Sequence, residues 1–155
     1  MRALVQRVKE GTVSIAGTVH ARIERGFVIL LGVRKGDSED DARFLADKCS
    51  ALRVFEDADG KMNLSLREVN GSALVVSQFT LYADAQKGNR PGFSEAAPPA
   101  EAEPLYELFV RRMKSELGEG KVVTGVFKAM MDVTIVNDGP VTILIESKRI
   151  AKEVL

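Results

Sequence analysis

The sequence predicts an α+β fold in which one sheet-rich domain spans residues 1–155. Three observations support this fold class. Apolar or alternating runs typical of strands recur along most of the chain, two longer stretches carry apolar residues at helical spacing, and no repeat or linker divides the chain. We therefore expect two packed β-sheets, or one barrel-like sheet, with the two main helices on one face.

The first third of the chain is predicted to form strands and then a helix. Strand-like runs occupy residues 3–8, 12–15, 19–23 and 27–33. The last of these runs is apolar enough for a central strand. A helix is predicted to begin near Ser38, whose side chain can cap it, while Asp41 suits the positive end of the helix dipole. Leu45, Cys49 and Leu52 then recur at helical spacing and predict one buried face.

The rest of the chain predicts further strands around a second helix. These strands occupy residues 52–55, 62–66, 73–82, 122–127, 133–136 and 141–146. Asn70-Gly71 is a hairpin signal before the third of them, and residues 83–99 read as an extended loop. A helix is predicted over residues 99–117, because Pro104 lies near its first turn and Gly118 is a natural stop. Its apolar stripe comprises Leu105, Leu108, Phe109, Met113 and Leu117.

The composition is that of an ordinary globular chain. Of the 155 residues, 45% are hydrophobic and 28% charged, and Lys+Arg and Asp+Glu each number 22. No global field attracts nucleic acid or acidic membranes, although a local basic patch would suffice for binding RNA. The single cysteine excludes an internal disulfide and a cysteine-cluster metal site, and no apolar stretch is long enough for a membrane span. We expect a cytoplasmic protein with no membrane partner.

Several motifs that could carry chemistry have simpler explanations. His20, the only histidine, is expected to be a surface residue rather than a base, and Cys49 is expected to pack as a small hydrophobe. Asp57-Ala58-Asp59-Gly60 resembles the start of a calcium loop but lacks the later ligands, so a turn is expected. The basic clusters are usually solvated, but they could hold a nucleic-acid backbone if they converge: Lys87-Gly88-Asn89-Arg90, Arg111-Arg112 with Lys114, and Lys148-Arg149 with Lys152.

Two segments are less easily explained by structure alone. Ser77-Gln78-Phe79-Thr80 ends a buried strand with a run of polar side chains, and strand alternation would turn Gln78 and Thr80 to one face. Gly139-Pro140 lies between two strand-like runs. One interpretation is a hairpin turn opened by Asn137-Asp138-Gly139; the other is a rigid backbone, with a cis peptide, that points carbonyls at a ligand.

The combination of these two segments resembles the D-aminoacyl-tRNA deacylases. The matching motifs are Ser77-Gln78-Phe79-Thr80-Leu81-Tyr82 and Asn137-Asp138-Gly139-Pro140-Val141-Thr142, with the opening residues 1–8 and the later runs Asn89-Arg90-Pro91, Phe93-Ser94 and Gly125-Val126-Phe127 with Ala129 and Met131. The resemblance covers essentially the whole chain. It departs from the family at Lys128, where a glycine is expected, and at Gly92, where a serine is more usual.

The resemblance implies a homodimer that hydrolyses the ester joining a D-amino acid, or glycine, to the terminal adenosine of tRNA. Each active site is expected to combine residues 77–80 of one chain with a cis Gly139-Pro140 of the other, and Arg7 is expected to anchor the latter segment. The implied catalytic residues are Ser77, Gln78, Phe79 and Thr80, and the implied substrate-binding residues are Gly139, Pro140, Asn137, Thr142, Arg7, Ala129, Met131 and Phe127. No metal and no organic cofactor is implied.

The chemistry of such an ester fits a chain without a usable histidine. An aminoacyl ester is already activated, so backbone N–H groups near Phe79 and Thr80 could supply the oxyanion hole while the substrate assists its own hydrolysis. A Thr80 nucleophile is the competing mechanism, but it lacks a visible base. A rigid Gly139-Pro140 backbone would leave no room for an L side chain. The alternatives are a non-catalytic dimeric RNA-binding module and a hydrolase of another small ester or amide.

Overall fold

The structure is a computed structural model that describes residues 1–148. Within these residues, eight strands and two α-helices follow one another as β1 (Arg2–Ile15), β2 (Thr18–Ile23), β3 (Gly26–Gly32), α1 (Glu39–Ala51), β4 (Phe55–Glu56), β5 (Met62–Leu64), β6 (Ser72–Ser77), α2 (Pro99–Leu117), β7 (Val122–Thr124) and β8 (Asp132–Glu146). Two short 3₁₀ turns, Phe79–Tyr82 and Glu119–Lys121, follow β6 and α2. None of the helices within residues 1–148 is long and apolar enough to cross a membrane.

The long strand β1 organises the main sheet. It pairs antiparallel with β2, β3 and β8, so that the sheet runs β2-β1-β3-β6-β7 with β8 added along β1. Strand β6 is parallel to both β3 and β7. The sheet curls into a nearly closed, barrel-like form, and β4 and β5 form a small second sheet. The predicted α+β class, with a barrel-like sheet, is confirmed.

The two faces of the sheet bury separate apolar clusters. Both helices pack on one face, where Phe27, Leu45, Val75 and Phe109 are almost fully buried in one cluster. The second cluster fills the inside of the curl and includes Val28 and Leu74. Alternate side chains of a strand point to opposite faces, so consecutive residues such as Phe27 and Val28 serve different clusters. This explains why β3 is apolar throughout rather than alternating.

Helix α1 begins, and helix α2 both begins and ends, close to the predicted positions, whereas Leu52 of the predicted α1 face lies just beyond the end of α1. Helix α1 starts after Ser38, and the Asp41 carboxylate accepts hydrogen bonds from the Ser38 N–H at 2.8 Å and from its hydroxyl at 3.1 Å. Cys49 is buried on the inner face of α1, and burial raises the pKa of its thiol to about 12, so it stays protonated. Helix α2 ends at Leu117, and Gly118 follows with a φ of 111°.

The predicted strand over residues 73–82 is wrong in its second half. Strand β6 ends at Ser77, and Phe79–Tyr82 form a 3₁₀ turn, so the alternation expected for Gln78 and Thr80 does not apply. The apolar residues Leu81 and Tyr82 extended the pattern beyond the true strand end, because a buried turn and a buried strand share the same composition. The strands predicted over residues 52–55, 62–66 and 122–127 are likewise shorter or shifted, at β4, β5 and β7.

The hairpin predicted at Asn70-Gly71 is also wrong. Strand β6 pairs with the parallel strands β3 and β7, whereas the preceding strand β5 pairs with β4. Asn70 has a φ of 53°, and the N–H of Gly71 donates to the Leu66 carbonyl at 2.9 Å. The pair therefore makes a tight turn that delivers the chain to β6 without forming a hairpin.

The two strands predicted on either side of Gly139-Pro140 are one continuous strand. Both halves of β8 pair with β1 in the same direction, with Thr142 opposite Gln6 and Asn137 opposite Val8. Only Arg7 on β1 faces residues 138–141 of β8, so four residues of β8 bulge out opposite one residue of β1. The hairpin interpretation fails because the chain does not reverse.

The predictions for isolated motifs can be compared with their positions in the structure. His20 is exposed on β2, and Asp57-Ala58-Asp59-Gly60 is the turn between β4 and β5, as expected. Of the basic clusters, Arg112 pairs with Asp47 at 2.7 Å rather than facing solvent alone. Arg149 and Lys152, in the last cluster, lie outside the described residues.

Candidate active site

The 77–80 turn leaves the carboxyl end of β6 and carries two open backbone donors. The N–H of Gln78 donates to the Leu31 carbonyl at 2.8 Å, and the N–H of Ala83 donates to the Thr80 carbonyl at 3.1 Å. Between them, the N–H groups of Phe79 and Thr80 have no hydrogen-bond partner among residues 1–148. Two neighbouring N–H groups without a protein partner at the start of a helical turn are able to donate to a negatively charged atom.

The turn is supported by Gly32 and Arg2, whose contacts with it the sequence did not predict. A Cβ on Gly32 would lie 3.2 Å from the Gln78 carbonyl oxygen and 3.1 Å from the Leu81 Cβ, so glycine allows β3 to approach the turn closely. Arg2 donates from Nη1 to the Leu81 carbonyl at 2.8 Å and lies 4.6 Å over the Tyr82 ring. No local pattern assigns this role to Arg2, which lies 79 residues before Leu81.

The side chains of the turn include no general base that could activate a nucleophile. The Thr80 hydroxyl accepts a hydrogen bond from Gln78 Nε2, its hydrogen-bond partner within the described part of the chain. A side-chain amide that donates to the hydroxyl oxygen cannot also remove its proton. The turn is therefore better suited to stabilising an oxyanion through its main chain than to covalent catalysis.

The segment of residues 125–131 lies beside the 77–80 turn. Strands β6 and β7 are parallel neighbours, with Val75 opposite Thr124, so the chain leaves both strands at the same edge of the sheet. The predicted residues Phe127, Ala129 and Met131 are all partly buried in this segment. Phe127 packs toward the helices, with its ring 5.8 Å from that of Tyr106, whereas Met131 packs into the cluster inside the curl.

The two departures from the family pattern differ in their structural consequence. Lys128 has a φ of 68°, in the left-handed region where glycine is favoured, which gives a physical reason for the glycine expected there. Gly92 has no such backbone, and a Cβ there would meet nothing closer than the Asp84 carbonyl oxygen at 3.9 Å. A serine would fit at position 92 without rearrangement.

The Gly139-Pro140 bulge has a well-defined backbone. The peptide bond between the two residues is cis, and Gly139 has a φ of 126°. The Asn137 side chain spans the bulge, because its Oδ1 accepts from the Val141 N–H at 3.1 Å while its Nδ2 donates to the Thr142 hydroxyl at 2.9 Å. Gly139 and Pro140 themselves are exposed, so the bulge presents its backbone to whatever lies against this edge.

Arg7 holds the bulge from inside the protein. It is 6% exposed, and its Nη1 donates to the Val54 carbonyl at 2.6 Å while its Nε donates to the Asp138 carbonyl at 3.2 Å. Its Nε also lies 3.4 Å from the Asp138 carboxylate. Burying an arginine is costly unless its donors find acceptors, and here Nε donates to the bulge and Nη1 to the chain before β4.

The bulge and the 77–80 turn lie far apart within one chain. The pairing β8-β1-β3-β6 separates them by three strand spacings, roughly 14 Å measured across the sheet. They are also offset along the strands, because Ser77 pairs with Leu31 and hence lies level with Ala3, whereas the bulge faces Arg7. A cleft of about 370 Å³ lies beside Phe127, between α2 and β7, but neither the turn nor the bulge lines it. One chain thus brings together the turn and residues 125–131, but not the bulge.

Comparison with known proteins assigns the family. The sequence pattern of the family described as D-Tyr-tRNA(Tyr) deacylase matches residues 4–146. The chain is 59% identical over 150 residues to a D-aminoacyl-tRNA deacylase of Anaeromyxobacter dehalogenans, covering 97% of this chain and 99% of that protein. It is 56% identical over 147 residues to the D-aminoacyl-tRNA deacylase of Thermus aquaticus, covering 95% of each.

Solved structures share the fold of this chain. A structure described as c-Myc DNA unwinding element binding protein superposes with a TM-score of 0.92 at 39% identity, covering 96% of this chain and 100% of that one. A probable eukaryotic D-amino acid tRNA deacylase superposes with a TM-score of 0.80 at 17% identity and shows the shared fold. The resemblance found in the two sequence motifs is confirmed, and the chain belongs to the D-Tyr-tRNA(Tyr) deacylase family.

Proposed function

We propose that this protein hydrolyses the ester bond of D-aminoacyl-tRNA, releasing the D-amino acid and free tRNA. The observation that carries the proposal is the pair of open N–H groups at Phe79 and Thr80, which follow the carboxyl end of β6. The chain that carries them belongs to the deacylase family. In the proposed reaction, water attacks the ester carbonyl, the two N–H groups stabilise the resulting oxyanion, and the ribose oxygen leaves with a proton. The neighbouring ribose hydroxyl assists, so no protein base is required.

The Phe79 N–H can be removed while its helical geometry is kept. Proline is favoured at the first position of a helical turn. The Gln78 φ of −141° suits a residue that precedes a proline, and its ψ of 85° has to increase by about 35° to reach the favoured range. We expect Phe79→Pro to lower kcat by about 10²- to 10³-fold, the typical effect of losing one oxyanion donor. Phe79→Ala keeps the N–H and is the matched control. If both variants lose activity equally, the side chain and not the N–H is responsible.

The alternative mechanism uses Thr80 as a nucleophile. Its hydroxyl accepts from Gln78 Nε2, and this geometry supports a structural role for it. We expect Thr80→Ala to retain most of its turnover. Complete loss of turnover in Thr80→Ala, with tRNA binding intact, would favour the nucleophile instead.

We infer that the active site is completed by a second copy of the chain. The separation of the bulge from the turn within one chain supports this, as do two exposed apolar residues on β8, Val136 and Leu144, the latter 52% exposed. In the dimer, the Gly139-Pro140 bulge of one subunit lies against the 77–80 turn of the other. Asn137, Thr142 and Arg7 position the bulge, and Phe127, Ala129 and Met131 line the neighbouring wall.

Subunit mixing tests the shared site directly. Gly139→Ala places a Cβ 2.9 Å from the Val141 side chain and 3.3 Å from Arg7 Nη2, so it displaces the bulge. Phe79→Pro disables the turn. If the site is shared, a mixed dimer of these two inactive variants contains one intact site and regains activity. If each chain has its own complete site, mixing restores nothing.

Selectivity follows from the exposed backbone of the bulge. A Gly139 or Pro140 carbonyl can accept from the substrate α-amino group and exclude an L side chain, whereas glycine has no side chain to exclude. We therefore expect D-tyrosyl-tRNA and glycyl-tRNA to be hydrolysed, and L-tyrosyl-tRNA to be spared, in assays without added metal. Similar rates for D- and L-tyrosyl-tRNA would contradict the exclusion.

A non-catalytic dimer that binds nucleic acid is the second candidate. One observation favours it, namely the 39% identity to a structure described as a DNA unwinding element binding protein. The two candidates are separated by the same assay: binding of tRNA without hydrolysis of D-tyrosyl-tRNA would favour the binding module.

A further inference from the structure

Two exposed aromatic rings lie together at the 77–80 turn. The Phe79 and Phe93 ring centroids are 5.2 Å apart, with the ring planes inclined by 67°. Phe79 is 56% exposed and Phe93 is 40% exposed. Exposed aromatic rings lose the free energy of burial that their size would provide, so an exposed pair beside a site is suited to binding an apolar or planar ligand.

The loop that carries Phe93 is held in place on both sides of this residue. Gly92 and Asp84 exchange two backbone hydrogen bonds of 2.8 Å each. On the other side, the Glu95 carbonyl accepts from the Lys35 N–H at 3.0 Å, and the Glu95 carboxylate lies 2.6 Å from Arg34 Nη2. The position of the Phe93 ring beside Phe79 is therefore set before any ligand arrives, which reduces the entropy lost on binding.

The same loop carries two cations, Lys87 and Arg90, near its tip. Both residues are exposed, and neither takes part in a salt bridge within residues 1–148. The carboxylate of Asp84, at the base of the loop, instead accepts from the Gln86 N–H at 3.0 Å. The loop thus combines an aromatic surface with uncompensated positive charge, although the chain as a whole has a net charge of zero.

We propose that Phe79 and Phe93 form a stacking platform for a nucleobase at the 3′ end of the RNA, with Lys87 and Arg90 contacting the adjacent phosphates. The proposal rests on the proposed function and names the part of the substrate that this surface recognises. Aromatic rings stack with any base, and nearby cations hold the phosphodiester backbone. In the proposed dimer the partner's bulge approaches the backbone N–H groups of the turn, so subunit contact is the competing explanation for the exposed rings and is an outcome of the test.

Binding of uncharged RNA tests the platform independently of turnover. The probe is a labelled RNA hairpin with a single-stranded 3′ CCA end, titrated with wild type, Phe93→Leu and Phe93→Tyr. We expect Phe93→Leu to weaken the Kd by roughly tenfold and Phe93→Tyr to restore it, since tyrosine also stacks. Phe44→Leu, at an exposed aromatic residue on α1, is the matched control and should bind normally.

Abasic RNA identifies which base is stacked. Hairpins lacking the terminal adenine or the preceding cytosine should bind wild type more weakly, and Phe93→Leu should cause no additional loss with the RNA that lacks the stacked base. Such non-additivity at either position supports the platform and assigns the base. Lys87→Gln with Arg90→Gln should reduce the salt dependence, by a slope of about 0.7 for each phosphate that the variant no longer neutralises.

Several results would overturn the platform. These are a Phe93→Leu affinity within twofold of wild type, an equal loss with intact and both abasic RNAs, or no binding of the hairpin by wild type. A Phe93→Leu variant that changes in sedimentation mass while its RNA affinity is unchanged would assign the surface to subunit contact instead. Wild type that binds through Phe93 but hydrolyses no D-aminoacyl-tRNA would leave the platform standing and refute only the proposed function.

Discussion

Replacing Arg7 should both destabilise the protein and loosen the Gly139-Pro140 bulge. Arg7→Met keeps the length of the side chain but removes the donors to the Val54 and Asp138 carbonyls. The Val54 acceptor is buried with Arg7, so losing its donor costs about 1–3 kcal/mol. The Asp138 contacts are partly open to water and add about 1 kcal/mol or less. We therefore expect Arg7→Met to lower the free energy of unfolding by about 3 kcal/mol.

Two matched substitutions separate the contacts of Arg7 from its charge. Arg7→Lys retains the charge, but one ammonium group cannot span both carbonyls, so an intermediate loss is expected. Arg22→Met removes an exposed arginine that pairs with Glu10 at 3.3 Å on the same sheet, and should cost less than about 1 kcal/mol. Urea unfolding followed by circular dichroism measures all three variants, with a constant m-value as the check for comparable unfolded states.

The relative rates of hydrolysis of D- and L-tyrosyl-tRNA then show whether Arg7 also controls selectivity. If Arg7 positions the bulge, Arg7→Lys should hydrolyse L-tyrosyl-tRNA faster relative to D-tyrosyl-tRNA than wild type does. The reasoning is refuted if Arg7→Met unfolds within about 1 kcal/mol of wild type, since a buried acceptor cannot lose its donor so cheaply. A destabilised variant with an unchanged D-to-L ratio would restrict Arg7 to a role in stability.

Four further predictions follow from single residues. Lys128→Gly should raise the free energy of unfolding by about 0.5–1 kcal/mol in urea, because it relieves a left-handed φ of 68°; a loss of stability would contradict this. Gly92→Ser should leave stability and turnover within error, since a Cβ fits there. Burial alone would raise the pKa of Asp41, but hydrogen bonds from Ser38 and its other partners outweigh burial and lower it to about 2. Because this pKa is lower in the folded chain than in the unfolded chain, the ionised Asp41 carboxylate stabilises the folded protein by roughly 2 kcal/mol above about pH 4. This stabilisation is lost as the pH falls toward about 2, and Asp41→Asn should remove its contribution to acid unfolding. His20→Ala should keep full activity, and an inactive variant would require a role for the histidine.

Elements with a strong local signal could be predicted from the sequence. Helix α1 follows a capping residue and carries apolar side chains at helical spacing, and both ends of α2 are marked by proline and glycine. The central strand β3 is apolar throughout because both of its faces are buried. The family was recognisable because its two motifs are continuous stretches of the chain.

Pairing between strands could not be predicted in the same way. The chain near Gly139-Pro140 looks like a hairpin, but whether it reverses depends on which strand lies alongside, and that strand is β1, more than a hundred residues earlier. The 3₁₀ turn after Ser77 was missed because its apolar residues continue the strand pattern. The roles of the individual site residues remain predictions for the variants described above.

The sequence by itself determined the fold class, both helices and the family, because each depends on local spacing or on short continuous motifs. Only the tertiary structure decided that Arg7 also donates to the Val54 carbonyl, that Arg2 supports the 77–80 turn, and that Phe93 lies beside Phe79. These contacts join residues far apart in the chain, and their formation depends on strand register and sheet curvature. The residue pattern of a strand specifies neither the register nor the curvature, since the same alternation is compatible with many partner strands.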